Sequence, residues 1–295
     1  MATISVSSDF ETFCSNLRMQ ASTVEAIRTR YQNITKRINL DYWNSDSSTS
    51  HSIYVGSYGR GTAIYTSDID IVVELPWTEY SKFDAYSSGG QSALLQAVKN
   101  VLQKTYSSSV ISADGQVVAI HFTDDIDFEI VPAFRFNDGS YYYGDTNNGG
   151  SWKKMDPSTE ILTFSIFNAL KNKNAKRLCR MARAWNSTMG VCMQGFLIDS
   201  TVYSFLMNYE YSDKSFSYYD WISRDYFKFL YDNADKSYWV MPGSGIHVVK
   251  KYSFKTEAKN AYDLSLEAIK AAESEYLYTW HNKWREIYGN KFPIL

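Results

Sequence analysis

The chain has 295 residues, 44% of them hydrophobic, which is enough for a large core in one domain or two lobes. A formal charge of −2 lacks the basic field of a protein that holds long DNA or RNA, so any nucleotide chemistry points to small nucleotides and to no stable nucleic-acid polymer partner. Cys14, Cys179 and Cys192 show neither disulfide nor zinc spacing, the four histidines are too dispersed for a triad, and no apolar run reaches the ~18–20 residues of a membrane span.

Taken in order, Ser8 to Tyr42 reads as one long helix. Ser8 and Glu11 form a capping box, and Phe10, Phe13, Leu17, Val24, Ile27, Tyr31, Ile34 and Ile38 keep helical spacing. Asn44 to Ser52 is a polar loop. Ile53 to Val55 is a short strand that ends at Gly56, and Ser57 opens a short helix, whose free N–H groups attract phosphate. Ser67-Asp68-Ile69-Asp70-Ile71-Val72-Val73 is then a β-branched strand. Its period of two puts Asp68 and Asp70 on one face, roughly 6–7 Å apart. That spacing suits two carboxylates sharing Mg²⁺ ions, which prefer oxygen ligands. A lone Gly-Ser is usually a turn, and a lone Asp-x-Asp often a solvated edge; the two together within twenty residues are far more specific.

Ser92 to Tyr106 reads as a helix, and Val110 to Phe122 as a hairpin whose Asp114-Gly115 suits a type I′ turn. From Thr123 to Phe134 a strand places Asp125, Asp127 and Glu129 on one face. This is either a solvated face or the source of a third metal ligand, about 4.8 Å from the Asp68 strand if the two are neighbours. Tyr141 to Lys153 is a Gly/Asn-rich loop. Helices follow at Thr159 to Leu170 and Lys176 to Met189, and Arg177, Arg180 and Arg183 fan over roughly a third of the second one's circumference. On pattern alone those arginines are a solvated basic face as readily as a site. Phe196, by the same standard, reads as core more readily than as a base platform. Asp199 to Tyr209, Tyr218 to Tyr231 and Thr256 to Tyr288 are further helices, the last ending at Gly289. Pro242 to Gly245 is a loop and matches no phosphate cradle.

Gly56-Ser57 with Asp68-x-Asp70 resembles the signature of the polymerase-β-like nucleotidyltransferases. Within them the chain is similar to the CD-NTases, bacterial relatives of cGAS and oligoadenylate synthase that make cyclic oligonucleotide signals, of the CdnE-like or a neighbouring clade. The resemblance covers roughly residues 53 to 200. It implies an α+β fold: a mixed sheet with flanking helices over residues 1–158 and a helical lobe over 159–295 that closes the nucleotide cleft, joined by a long N-terminal spine helix. It implies Glu129 as the third carboxylate, two positions before Val131-Pro132-Ala133, with Asp127 a second candidate because relatives more often carry Asp. The loop at 141–153 would wall the cleft. Arg183-Ala184-Trp185 matches the family's Lys-x-Trp, so Arg183, with Arg180 beside it, would grip the donor triphosphate. Gly195-Phe196 to Asp199 matches Ser-aromatic-x-x-Glu, so Phe196 would stack on a base; Gly195 for Ser and Asp199 for Glu are departures.

The activity so implied is Mg²⁺-dependent condensation of NTPs, ATP and GTP among them, into a cyclic di- or oligonucleotide. Two ions would sit on Asp68, Asp70 and Glu129, with Mn²⁺ a substitute. The setting would be cytoplasmic antiviral (CBASS) defence with a separately encoded effector. Rival readings are an RNA-tailing polymerase, an aminoglycoside nucleotidyltransferase and an inactive nucleotide-binding module.

Overall fold

The computed structural model describes residues 4–64 and 68–294; Ser67, at the head of the expected carboxylate strand, lies outside them. The chain begins with α1 (Val6–Asn16) and α2 (Ala21–Tyr42), then β1 (Ser52–Tyr54), the five-residue α3 (Gly56–Arg60) and β2 (Asp68–Glu74). Next come α4 (Trp77–Asp84), α5 (Gly90–Gln103), β3 (Val110–Asp114), β4 (Val117–His121), β5 (Asp127–Arg135), β6 (Tyr141–Asp145) and β7 (Ser151–Met155). Then follow α6 (Pro157–Leu170), α7 (Asn174–Thr188), α8 (Gly195–Met207), α9 (Tyr219–Asp232), β8 (Tyr238–Val240), β9 (His247–Val249), α10 (Lys255–Glu273) and α11 (Leu277–Tyr288). Among the described residues no helix is long and apolar enough to cross a membrane.

Two compact units emerge. The sheet unit comprises Met19–Arg60 and Thr66–Ile161; the helical unit comprises Met1–Arg18, Gly61–Tyr65 and Leu162–Leu295. In the sheet unit the strands run β1-β2-β5-β4-β3, with β6 also paired to β5 and β7 to β6. The β2–β5 pair is parallel and the other pairs are antiparallel, so the sheet is mixed. Alternation decides which face is buried. Ile69, Ile71, Val73, Phe128 and Ile130 pack with Ile27, Ile34 and Ile38 of α2 and Leu94, Leu95 and Val98 of α5. The odd-numbered residues of β2 and the even-numbered ones of β5 thus face the helices, which leaves Asp68, Asp70 and Glu129 on the opposite face.

Several expectations change. The expected long N-terminal helix is two helices. Ser5, not Ser8, caps α1, accepting a hydrogen bond from the Ser8 N–H at 3.3 Å. The chain then breaks over residues 17–20 before α2. The reason is that the stripe serves two cores: Phe10, Phe13 and Leu17 belong to the helical unit, Ile27, Ile34 and Ile38 to the sheet unit. The C-terminal helix is also split, at 274–276, where Glu275 takes φ 58°. The β3–β4 turn has Gly115 and Gln116 as its two central residues, because Asp114 pairs with Val117. Only Gly115 has positive φ, as in a type II′ turn rather than I′. Most of the expected loop at 141–153 is the β6–β7 hairpin.

Candidate active site

The site begins with strand register. Parallel pairing sets Asp68 opposite Asp127 and Asp70 opposite Glu129. Opposed residues on adjacent strands share a face, about 4.8 Å apart. The Asp70 and Glu129 carboxyls meet in a hydrogen bond. Burial, then the Glu129 charge, pushes the Asp70 pKa up to about 6, against the pull of Arg60. Burial, then the Asp68 charge, likewise raises Glu129. Asp68 is exposed at the start of β2.

Asp127 is engaged elsewhere. Its Oδ2 lies 2.6 Å from His121 Nδ1, and its Oδ1 accepts from the Phe122 N–H at 3.2 Å, so it fastens the end of β4. Asp125 is not on the strand at all: it sits in a turn at φ 59°, its N–H bonded to the Phe122 carbonyl. The expected face of three carboxylates on this strand is therefore a face of two, and Glu129 is the one that meets Asp70.

Gly56 abuts the same group. Its φ is +59°, and a β-carbon there would overlap Asp70 Oδ2. Glycine is required twice over, for conformation and for room. The Gly-Ser turn is thus pressed directly against the carboxylate pair, with Ser57 in the first turn of α3. At the other end of α3 stands Arg60, which sequence reasoning missed. It is buried, its Nη1 is 3.8 Å from Glu160 Oε2, also buried, and its charge opposes the rise at Asp70. Nothing in Gly59-Arg60-Gly61 marks a buried cation, since a five-residue helix has no periodicity to read.

The donor set suits divalent cations. It consists of hard oxygens on adjacent strands, in ionised forms that burial and mutual repulsion disfavour. Among the described residues no three His, Cys, Asp or Glu side chains form a ready-made coordination shell.

In the helical unit the three arginines of α7 have three different partners. Arg177 reaches Tyr219 and lies over the Phe216 ring. Arg180 Nη2 donates to the Gly61 carbonyl at 2.7 Å. Arg183 donates from Nη1 to Asp199 Oδ1 at 2.7 Å and from Nη2 to the Gly195 carbonyl at 3.2 Å. Phe196, expected in the core on pattern alone, is 42% exposed in the first turn of α8.

Three comparisons bear on this geometry. Residues 4–168, more than half of the chain, match the model of the Second Messenger Oligonucleotide or Dinucleotide Synthetase domain. A probable cyclic nucleotide synthase of Bacillus cereus (strain VD146) is 24% identical over 271 residues, covering 81% of each protein. Among solved structures, E. coli MS115-1 CdnC in its HORMA-deltaN complex superposes with a TM-score of 0.71 at 15% identity, over 98% of both chains. The Vibrio cholerae DncV cyclic AMP-GMP synthase, bound to a linear intermediate, gives 0.65 at 13% identity, over 98% of this chain and 87% of that one. These last two show a shared polymerase-β-like fold. With the Gly-Ser turn set against carboxylates from two parallel strands, the chain belongs to the Second Messenger Oligonucleotide or Dinucleotide Synthetase family, the CD-NTases, and is a nucleotidyltransferase.

Proposed function

We propose that the chain condenses NTPs, ATP and GTP among them, into a cyclic di- or oligonucleotide, using two Mg²⁺ ions held by Asp68, Asp70 and Glu129. The observation that carries this reading is the contact of Gly56 with Asp70 while Asp70 faces Glu129: phosphate-binding turn and acid pair occupy one spot. When bound, the cations supply charge neutralisation for the triphosphate and the leaving pyrophosphate, and they acidify the acceptor hydroxyl. Ser57 and the neighbouring backbone N–H groups bind the donor phosphates. The acceptor ribose oxygen forms a bond to the α-phosphorus as the bond to pyrophosphate breaks, and its proton passes to a carboxylate oxygen of Glu129 or Asp70. A second transfer within the linear product closes the ring.

Arg180 and Phe196 enter this reading as nucleotide contacts, while Arg183, expected as the clamp, is held by other partners. The exposed Phe196 ring suits a base platform. Arg183 has two of its nitrogens committed to Asp199 and Gly195, so Arg180 is the stronger candidate for a triphosphate clamp. The setting we propose is cytoplasmic antiviral defence, with the product switching on a separately encoded effector.

The test is to incubate the purified chain with all four NTPs and Mg²⁺ and read the products by mass spectrometry. Cyclic products that vanish in Asp68→Asn and Asp70→Asn are the expected result. Long homopolymer tails, or modification only of an added aminoglycoside, would overturn it. Nucleotide binding without turnover, unaltered by Asp68→Asn, would make the chain a binding module.

A further inference from the structure

Between α3, which carries Ser57, and β2, which carries Asp68 and Asp70, runs a short connecting segment. Three of its residues are anchored in the helical unit. The Gly61 carbonyl accepts from Arg180 Nη2 at 2.7 Å. Thr62 Oγ1 donates to Asp199 Oδ2 at 3.0 Å. Ile64 is buried in the helical core with Phe164, Leu178 and Ile198. Thr62 and Asp199 are each 0% exposed. Asp199 takes the Thr62 hydroxyl on one oxygen and the Arg183 guanidinium on the other. The same guanidinium reaches the carbonyls of Cys179, one turn back on α7, and of Gly195, the residue before Phe196.

We infer that the Arg183–Asp199 ion pair is a positioning device for nucleotidyl transfer, acting through Thr62 and the first turn of α8 rather than by gripping phosphate. The inference rests on the reading of the site given above. Its physical basis is that a buried carboxylate with a buried cationic partner is expensive to disturb. The segment cannot shift without giving up a hydrogen bond to that carboxylate. Asp68 follows Thr62 by six residues and Ser57 precedes it by five, so a fixed Thr62 restricts both by chain length alone. Gly195 supplies a second, independent sign. A β-carbon there would lie 3.3 Å from Arg183 Nη2, tighter than ordinary packing. A side chain there would have to move the guanidinium by a few tenths of an ångström, and glycine, where the family pattern has serine, leaves it in place.

The experiment uses the full chain. In nucleotide-free protein, backbone amide exchange is followed over residues 61–64 in the wild type, Thr62→Val and Thr62→Ser. Valine keeps the volume and removes the donor; serine keeps the donor. Faster exchange over 61–64 in Thr62→Val alone, with α9 unchanged, is expected. In steady-state assays Thr62→Val should lower kcat about tenfold with KM for the NTP within about twofold, and Thr62→Ser should restore it. Arg183→Gln and Asp199→Asn should each lower kcat, and the double variant should be no worse than the more affected single one, since they remove one unit. Unchanged exchange in Thr62→Val overturns the inference. So does an Arg183→Gln variant whose KM for the NTP rises more than about tenfold at constant kcat, because that is the behaviour of a direct nucleotide contact. A wild type that turns over no NTP defeats the functional reading instead, while the exchange result still decides whether the segment is tethered.

Discussion

At the scale of single residues, the site depends on one contact that admits no side chain. Gly56 is in the left-handed region and its α-carbon lies against the Asp70 carboxylate. Gly56→Ala should therefore lose transfer activity by about 100-fold and stability by about 1–3 kcal/mol, measured by product formation and by urea unfolding. Asp70 itself carries a stability penalty. Burial lifts its pKa from 3.8 to about 6, so the folded state favours the neutral carboxyl. Ionising it is therefore unfavourable for folding. The loss is absent below about pH 4, grows between pH 4 and 6, and is complete above. Without divalent cations, Asp70→Asn should stabilise the fold at pH 8 by about 1–3 kcal/mol and by nothing at pH 4, while abolishing transfer. Thermal unfolding at the two pH values checks this. Asp68 and Asp70 were legible from local alternation. The Thr62–Asp199 bond was not, because its partners stand 137 residues apart and the pattern that includes Asp199 says nothing of Thr62.

At the scale of elements, α3 is too short to hold itself together. Arg60, at its last position, is set in place beside Glu160 in α6, and Tyr54 crowds Gly59 from β1. Arg60→Met would leave Glu160 buried without that cation and bring Asp70 closer to neutrality. A loss of about 3–5 kcal/mol in chemical denaturation is expected, larger than for surface arginines such as Arg28. Strand faces followed from sequence because a period of two fixes them once one residue is buried. Register did not: that Glu129, rather than Asp127, sits opposite Asp70 is a property of the β2–β5 pair, and no single strand encodes it. The breaks at 17–20 and 274–276 contain neither proline nor glycine, and helical phase carries across both, so the sequence reads straight through them. Phe196 failed for the opposite reason: an aromatic residue in a helical run looks like core whether it is buried or not.

On the scale of the whole molecule, the chain is built on two main cores and closes one of them with its first helix. Phe10 lies in a cage of Tyr219, Trp280, Trp284 and Phe292, with ring centroids 5.1–6.3 Å away. Phe10→Ala should cost the helical unit about 3–5 kcal/mol. Because Phe10 has no place in the sheet-unit core, hydrogen exchange should show the loss in α9 and α11 and spare β2 and β5. The overall charge of −2 provides no net field for a long polyanion.

Membership of α1 in the helical unit also sets a timetable on the ribosome. The strands that bear the acid pair, and the helices packed under them, have all been translated by residue 161. Phe10, by contrast, waits for Phe292, and Thr62 waits for Asp199. A nascent chain therefore owns its carboxylates long before it owns the anchors of the segment that leads to them. A message cut short after the sheet unit would yield a protein with the acids in place and that segment untethered.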